Sequence, residues 1–391
     1  TMQLPLSLYV HLPWCVQKCP YCDFNSYSAG NAAPRDRYLD ALLADVESEA
    51  GRAAGRDLIS VFIGGGTPSL FSPAQISTLL DRIDRCFAMA ADIEITMEAN
   101  PGTVECGDPA GYRAAGVNRL SIGAQSFSSA SLEVLGRIHG VDDIGRAVSE
   151  ARSAGFVDLN IDLMYGLPAQ DAAAALLDIE QAARLEPNHL SWYQLTLEPN
   201  TVFHARPPAG LPDDDLSYEI QRRGQERLEA LGFDQYEVSA YARDGCRSVH
   251  NLNYWQFGDY LAVGAGAHGK VSDESGVRRY VKPANPKQYM ESLENAGFEP
   301  DGHEVTAAER LFEFMLNALR LTEGFHESLF EQRTGLEAGL LRDRMQPAVR
   351  KGLIASPADG IWLVTPLGRR FLNDLQAEFL PEQSVAHTLA G

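Results

Sequence analysis

Cysteine is scarce in this chain of 391 residues: there are six, and Cys86, Cys106 and Cys246 stand isolated. Such spacing argues against a disulfide framework. Long apolar runs are missing too, and no stretch approaches the ~20 residues of a membrane-spanning helix. The opening "TMQLPLSLYVHLPW" has neither the basic start nor the small-residue cleavage site of a signal peptide. These absences predict a cytoplasmic protein with at most peripheral membrane contact, whose thiols stay reduced and open to metal. Basic blocks are absent as well. With a net charge of −20, the chain offers phosphate backbones little to hold, so nucleic acid is not an expected partner. There is no internal repeat and no low-complexity tract.

What is present is a rhythm. Short β-rich runs at 7–12, 60–65, 93–99, 119–124, 158–164 and 190–197 alternate with amphipathic helical stretches such as "RDRYLDALLADVESEA" and "SPAQISTLLDRIDRCF". The second of these opens with Ser72, Pro73 and Gln75, a capping-box start with proline at the first helical position. Strands alternating with helices predict crossover units and a parallel sheet. Polar residues gather where the strands end, at Gly64–Gly66, Glu98, Gln125, Asp162 and Thr196. A barrel collects such ends at one mouth, so the expected fold is α/β, a partial (β/α)6 TIM-type barrel. The length suggests two domains, with the barrel over 1–238 and the remainder over 239–391. Within the remainder, 246–270 is aromatic and glycine-rich without helical period. The end, about 301–391, is α+β and winged-helix-like, with strand, turn at Pro357–Gly360, strand, then helix. Acidity favours a packing or partner-docking role for it over DNA binding.

The other three cysteines lie together in "WCVQKCPYCDFN". Cys15, Cys19 and Cys22 have the spacing C-x3-C-x2-C, and a short loop carrying three thiolates can wrap a metal site. Structural zinc would need a fourth ligand such as His11. A [4Fe–4S] cluster would leave one iron open to a non-protein ligand. Three buried, unligated thiols are the third reading.

With Tyr21 just before the last cysteine, this loop resembles the signature of radical S-adenosylmethionine (radical SAM) proteins. The resemblance implies a [4Fe–4S] cluster whose open iron is chelated by the methionine moiety of SAM, and cleavage of the sulfonium to a 5′-deoxyadenosyl radical. It also implies the partial barrel reached above. "GGGTP" after the second strand sits where that superfamily holds the methionine amino group. Gly65, Gly66 and Thr67 take the role here, a threonine standing for the usual glutamate. Within the superfamily the chain is similar to the coproporphyrinogen dehydrogenase group from about residue 7 onward. By that similarity Tyr9, Glu98, Gln125, Arg137 and Asp162 contact SAM, and Tyr21 and Thr196 are expected at the same site. Glu98 and Asp162 can accept from hydroxyls or an amino group, and Arg137 can pair with a carboxylate.

One further motif, "HNLNYW" at 250–255, allows two readings. His250 is either a loop histidine satisfied by local hydrogen bonds or an axial haem ligand, flanked by aromatics (Tyr254, Trp255) and Asn251. The motif resembles that of the haem chaperones within the same group, which favours haem and makes His250 the first candidate ligand and His268 in "GAHGK" the second. The dehydrogenases carry a fourth cysteine two residues after the third, and an N-terminal extension. Here Phe24 occupies that place and Cys15 lies close to the start. The expected function is therefore haem delivery to client hemoproteins, such as respiratory enzymes, with a homodimer as a candidate assembly. Oxygen-independent coproporphyrinogen III oxidation, or another radical reaction on a tetrapyrrole, is the alternative, and whether the chain is an enzyme stays open.

Overall fold

A computed structural model describes residues 4–28, 33–102, 107–294 and 298–381. Cys106 lies outside the described residues.

The six expected strands all form: β1 (Leu6–Leu12), β2 (Leu58–Gly65), β3 (Met89–Ala99), β4 (Arg119–Gln125), β5 (Asp158–Tyr165) and β6 (His189–Gln194). Each pairs in parallel with the next, as right-handed βα crossovers require. Their sequences alternate although both faces are covered. In β1, Leu6, Leu8, Val10 and Leu12 are fully buried in the main apolar core with the surrounding helices. Ser7, Tyr9 and His11 point the other way, and on the neighbouring strands Ser60, Glu94, Ser121 and Asn160 join them to make the barrel interior polar. The second helix, Pro73–Cys86, starts with the expected capping box between Ser72 and Gln75.

The segment 246–270, expected to lack a helical period, is nonetheless regular. It contains the helix Val249–Trp255. Two turns are too short for a helical period to show in sequence. It adds two strands, so that the later part of the sheet comprises β7 (Asp234–Glu237), β8 (Ala240–Ala242), β9 (Asp259–Val263), β10 (His268–Asp273), β11 (Gly276–Val281) and β12 (Asp301–Val305). Strand β9 runs parallel to β1 on the side opposite β2. The whole forms one twelve-stranded sheet in the order β12-β11-β10-β9-β1-β2-β3-β4-β5-β6-β8-β7. Residue 238 thus lies between two strands of this sheet, which continues to Val305.

A second apolar core follows, built on Phe314, Phe330, Leu341 and Trp362 and joined by Phe257 from the barrel side. Its helices Ala307–Ala318, Glu327–Thr334 and Ala338–Arg350 pack with a three-stranded sheet. Two of its strands, Ile354–Ala358 and Ile361–Val364, meet through Asp359 and Gly360. Both turn residues have positive φ, 51° and 78°, which is the conformation that an Asp-Gly hairpin turn supplies. This is the winged-helix-like end. Among the described residues, no helix is long and apolar enough to cross a membrane.

Candidate functional site

The cysteine loop leaves β1 at Leu12 and is pinched at its base. Trp14 and Cys15 pair in parallel with Tyr27 and Ser28. Inside the loop, Lys18 Nζ donates to the carbonyls of Phe24 (3.0 Å) and Ser26 (3.2 Å), and the Cys22 amide donates to the Cys19 carbonyl at 3.2 Å. All three thiols are free and line one wall of a cleft at the C-terminal ends of β2–β6. Among the described residues, no three His, Cys, Asp or Glu side chains converge as a single metal ion requires. That disfavours a one-zinc site with His11. His11 is in any case committed, with Nε2 bonded to the Asn25 carbonyl (2.8 Å) and Nδ1 to Tyr9 (2.9 Å). Burial pushes the Cys15 thiol up to about 11 and raises Cys22. Such thiols keep their protons until a metal displaces them.

The opposite wall carries the acids. Glu98 accepts from the Gly65 amide at 3.1 Å. Its pKa is raised to about 8, first by burial and then by the charge of Asp162. Burial raises Asp162 as well, against hydrogen bonds from Asn160 (2.7 Å) and Ser121 (3.1 Å). Between acids and cysteines lies Arg137, donating to Asn100 Oδ1 and the Gly123 carbonyl, each at 2.7 Å, and to Cys19 Sγ at 3.7 Å. Gln125 accepts from Tyr193 at 2.7 Å. It ends β4 with φ of 69°, a costly conformation for a residue with a Cβ and one often met at functional sites.

The glycines of "GGGTP" are also required by packing. A Cβ on Gly65 would stand 2.6 Å from the His11 ring, and one on Gly66 would stand 2.6 Å from the Trp14 carbonyl. They let the β2 turn press against the base of the cysteine loop. Thr67 is buried and accepts from Asn100 at 3.1 Å.

Of the residues expected at a SAM site, Tyr21, Gly65, Gly66, Thr67, Glu98, Gln125, Arg137 and Asp162 line this cleft with the three cysteines. Thr196 does not, because β6 ends at Gln194 and Thr196 lies beyond it, exposed. The residue that β6 contributes is Tyr193. Tyr9 lies deeper in the barrel, its ring 6.3 Å from that of Phe62, and is not part of the cleft lining. Asn100, Ser121 and Gly123 were missed. Asn100 directly follows the strand end that carries Glu98, and Ser121 shares strand-face parity with it, so alternation could have found both.

This cleft is the site a cluster and SAM would need. The donor set fits: three free thiols on one wall, two buried acids with raised pKa and an arginine on the other.

The comparisons agree. Residues 9–195 match the radical SAM superfamily, and 305–371 match the HemN C-terminal domain. Over 379 residues the chain is 48% identical to the heme chaperone HemW of Escherichia coli (strain K12), covering 97% of this chain and 99% of that one. The chain belongs to the HemW family. The heme chaperone HemW of Bacillus subtilis (strain 168) is 36% identical over 382 residues, covering 96% and 99%. The solved coproporphyrinogen III oxidase (HemN) of E. coli, a radical SAM enzyme, superimposes with a TM-score of 0.81 at 26% identity, covering 96% of this chain and 90% of that chain.

In this HemW-family chain the "HNLNYW" motif is a plug for the barrel. Glu94 accepts from the Val249 and His250 amides at 2.8 and 3.0 Å, which satisfies the helix start. His250 is fully buried. Its Nδ1 bonds Ser60 Oγ at 2.9 Å and its Nε2 bonds Tyr254 Oη at 2.8 Å. Asn253 donates to Ser7 at 2.9 Å. Burial pushes the imidazole down to about 3. The expected iron ligand is thus placed as a satisfied interior histidine with neither nitrogen open to a haem iron. Asn251 lies on the same helix, half-buried, with its amide donating to Ser248 Oγ at 3.2 Å. Tyr254 and Trp255 face a separate groove.

Proposed function

We propose that this protein is a haem chaperone that binds haem and passes it to client hemoproteins. The observation that carries the reading is the similarity of nearly the whole chain to proteins named heme chaperone HemW. In this reading Cys15, Cys19 and Cys22 hold a [4Fe–4S] cluster, and Glu98, Gln125, Arg137, Asp162 and the Gly65–Thr67 turn hold SAM. The reduced cluster, when bound, supplies the electron that cleaves a sulfonium. The chain's own part is to bind and orient. Glu98 and Asp162 receive the amino group and ribose hydroxyls, and Arg137 counters the carboxylate and the thiolate of Cys19. Cytoplasmic residence, respiratory enzymes as clients, a homodimer and peripheral membrane contact belong to the same proposal.

Anaerobic reconstitution followed by iron and haem analysis tests it. About four irons per chain and stoichiometric haem are expected, with transfer to an apo-hemoprotein. The likeness in fold to HemN favours a second reading, oxidative decarboxylation of coproporphyrinogen III. Phe24 stands where that reaction's enzymes place a fourth cysteine. SAM-dependent formation of protoporphyrinogen IX would establish the second reading and overturn the first.

A further inference from the structure

Beside the cysteine loop, and apart from the SAM cleft, a groove of about 600 Å3 opens between β1, β10 and the helix Val249–Trp255. That lies within the ~300–1,000 Å3 of ordinary small-molecule pockets. Its walls are largely aromatic, with Tyr9, Phe24, Tyr254, Trp255 and Tyr260. Tyr254 and Tyr260 meet edge to face, ring centroids 4.6 Å apart. The Trp255 indole nitrogen is buried without a hydrogen-bond partner among the described residues. Phe24, 59% exposed, lines both this groove and the SAM cleft, so the two cavities share a wall.

Three histidines stand near this groove, and their nitrogens separate them. His250 has both engaged, by Ser60 and Tyr254. His11 has both engaged, by Tyr9 and Asn25. His268 opens β10 as an exposed side chain in the groove, and among the described residues neither of its ring nitrogens has a hydrogen-bond partner. Metal ligation needs a neutral imidazole with an open nitrogen. Burial and the nearby Arg279 hold the His268 pKa below its ordinary value.

We infer that this aromatic groove is the haem site and that His268, not His250, is the protein's iron ligand. The inference rests on the haem-chaperone reading and adds the location. His250 becomes a positioning residue. It fixes Tyr254 through Nε2, and Tyr254 then presents its ring to the porphyrin. Loss of His250 would therefore loosen haem without changing the iron's ligand.

The test titrates haem into the full-length, cluster-reconstituted protein and its His268→Gly and His250→Gln variants, reading affinity and the absorption spectrum. Iron content of the cluster controls for folding, and His268→Asn provides a smaller change at the same place. His268→Gly is expected to bind at least about tenfold more weakly, ~1.4 kcal/mol, and to lose the histidine-ligated spectrum, which added imidazole restores. His250→Gln is expected to weaken binding while keeping the wild-type spectrum, with no response to imidazole. Unchanged affinity and spectrum in both His268 variants, with haem bound by the wild type, would overturn the inference and leave the chaperone reading standing. Failure of the wild type to bind haem would overturn both.

Discussion

The imidazole of His250 meets the hydroxyl of Ser60 at 2.9 Å inside the barrel, joining a helix from the second half of the chain to the second strand of the first. The pair is sealed from water, so His250 stays neutral down to about pH 3. In the unfolded chain it protonates near 6.5. A depressed histidine pKa contributes stability that is present above 6.5 and is lost as pH falls from there towards 3. His250→Gln keeps hydrogen-bonding capacity without titrating. Its urea-unfolding free energy is expected to fall less steeply than the wild type's between pH 6.5 and 4. Parallel pH profiles would refute the buried, neutral assignment.

Glu98 titrates at about 8 and is therefore mostly protonated at pH 7. A cationic ligand that pairs with it would expel that proton. Calorimetry of SAM binding in two buffers of different ionisation enthalpy should show up to about one more proton released by wild type than by Glu98→Gln. Equal release would place the ligand's amino group elsewhere.

Gly65 has φ of +115°, and an added Cβ would meet the His11 ring at 2.6 Å. Gly65→Ala incurs both backbone strain and a clash, ~2–4 kcal/mol together. Because the clash lies at the base of the cysteine loop, cluster occupancy should fall along with the melting temperature. Full iron content at unchanged stability would contradict the geometry.

Lys282 is buried between Asp45 (2.6 Å) and Glu49 (2.7 Å), and Tyr289 and Tyr280 donate to the same two acids. This network ties β11 and the following loop to the first helix, Arg35–Glu49. Lys282→Met would leave two uncompensated buried carboxylates, at a cost of ~3–5 kcal/mol. Urea denaturation at pH 7 should show that loss. A loss below about 1 kcal/mol would mean that water reaches the network.

Local chemistry made much of this legible beforehand. The β runs, the Ser72–Gln75 cap and the cysteine loop are each encoded within a few residues and form close to where the sequence placed them, while the turn expected over Pro357–Gly360 narrows to Asp359 and Gly360 because the strand runs on to Ala358. Glu98, Gln125 and Asp162 were found because strand ends converge in a parallel barrel. Thr196 was misplaced by a strand end read three residues too far, and Asn100 and Ser121 were missed by not carrying alternation along and between the strands.

The sequence alone determined the strand-and-helix order of the first six units, the polar mouth and the grouping of three thiols, because these depend on periodicity and short spacing. It could not decide which histidine has an open nitrogen. His250 and Ser60 are 190 positions apart, and a residue's availability is set by partners that only tertiary packing supplies. For the same reason β9 was invisible until it lay beside β1. The strand's own sequence is short, and its pairing spans nearly the whole barrel.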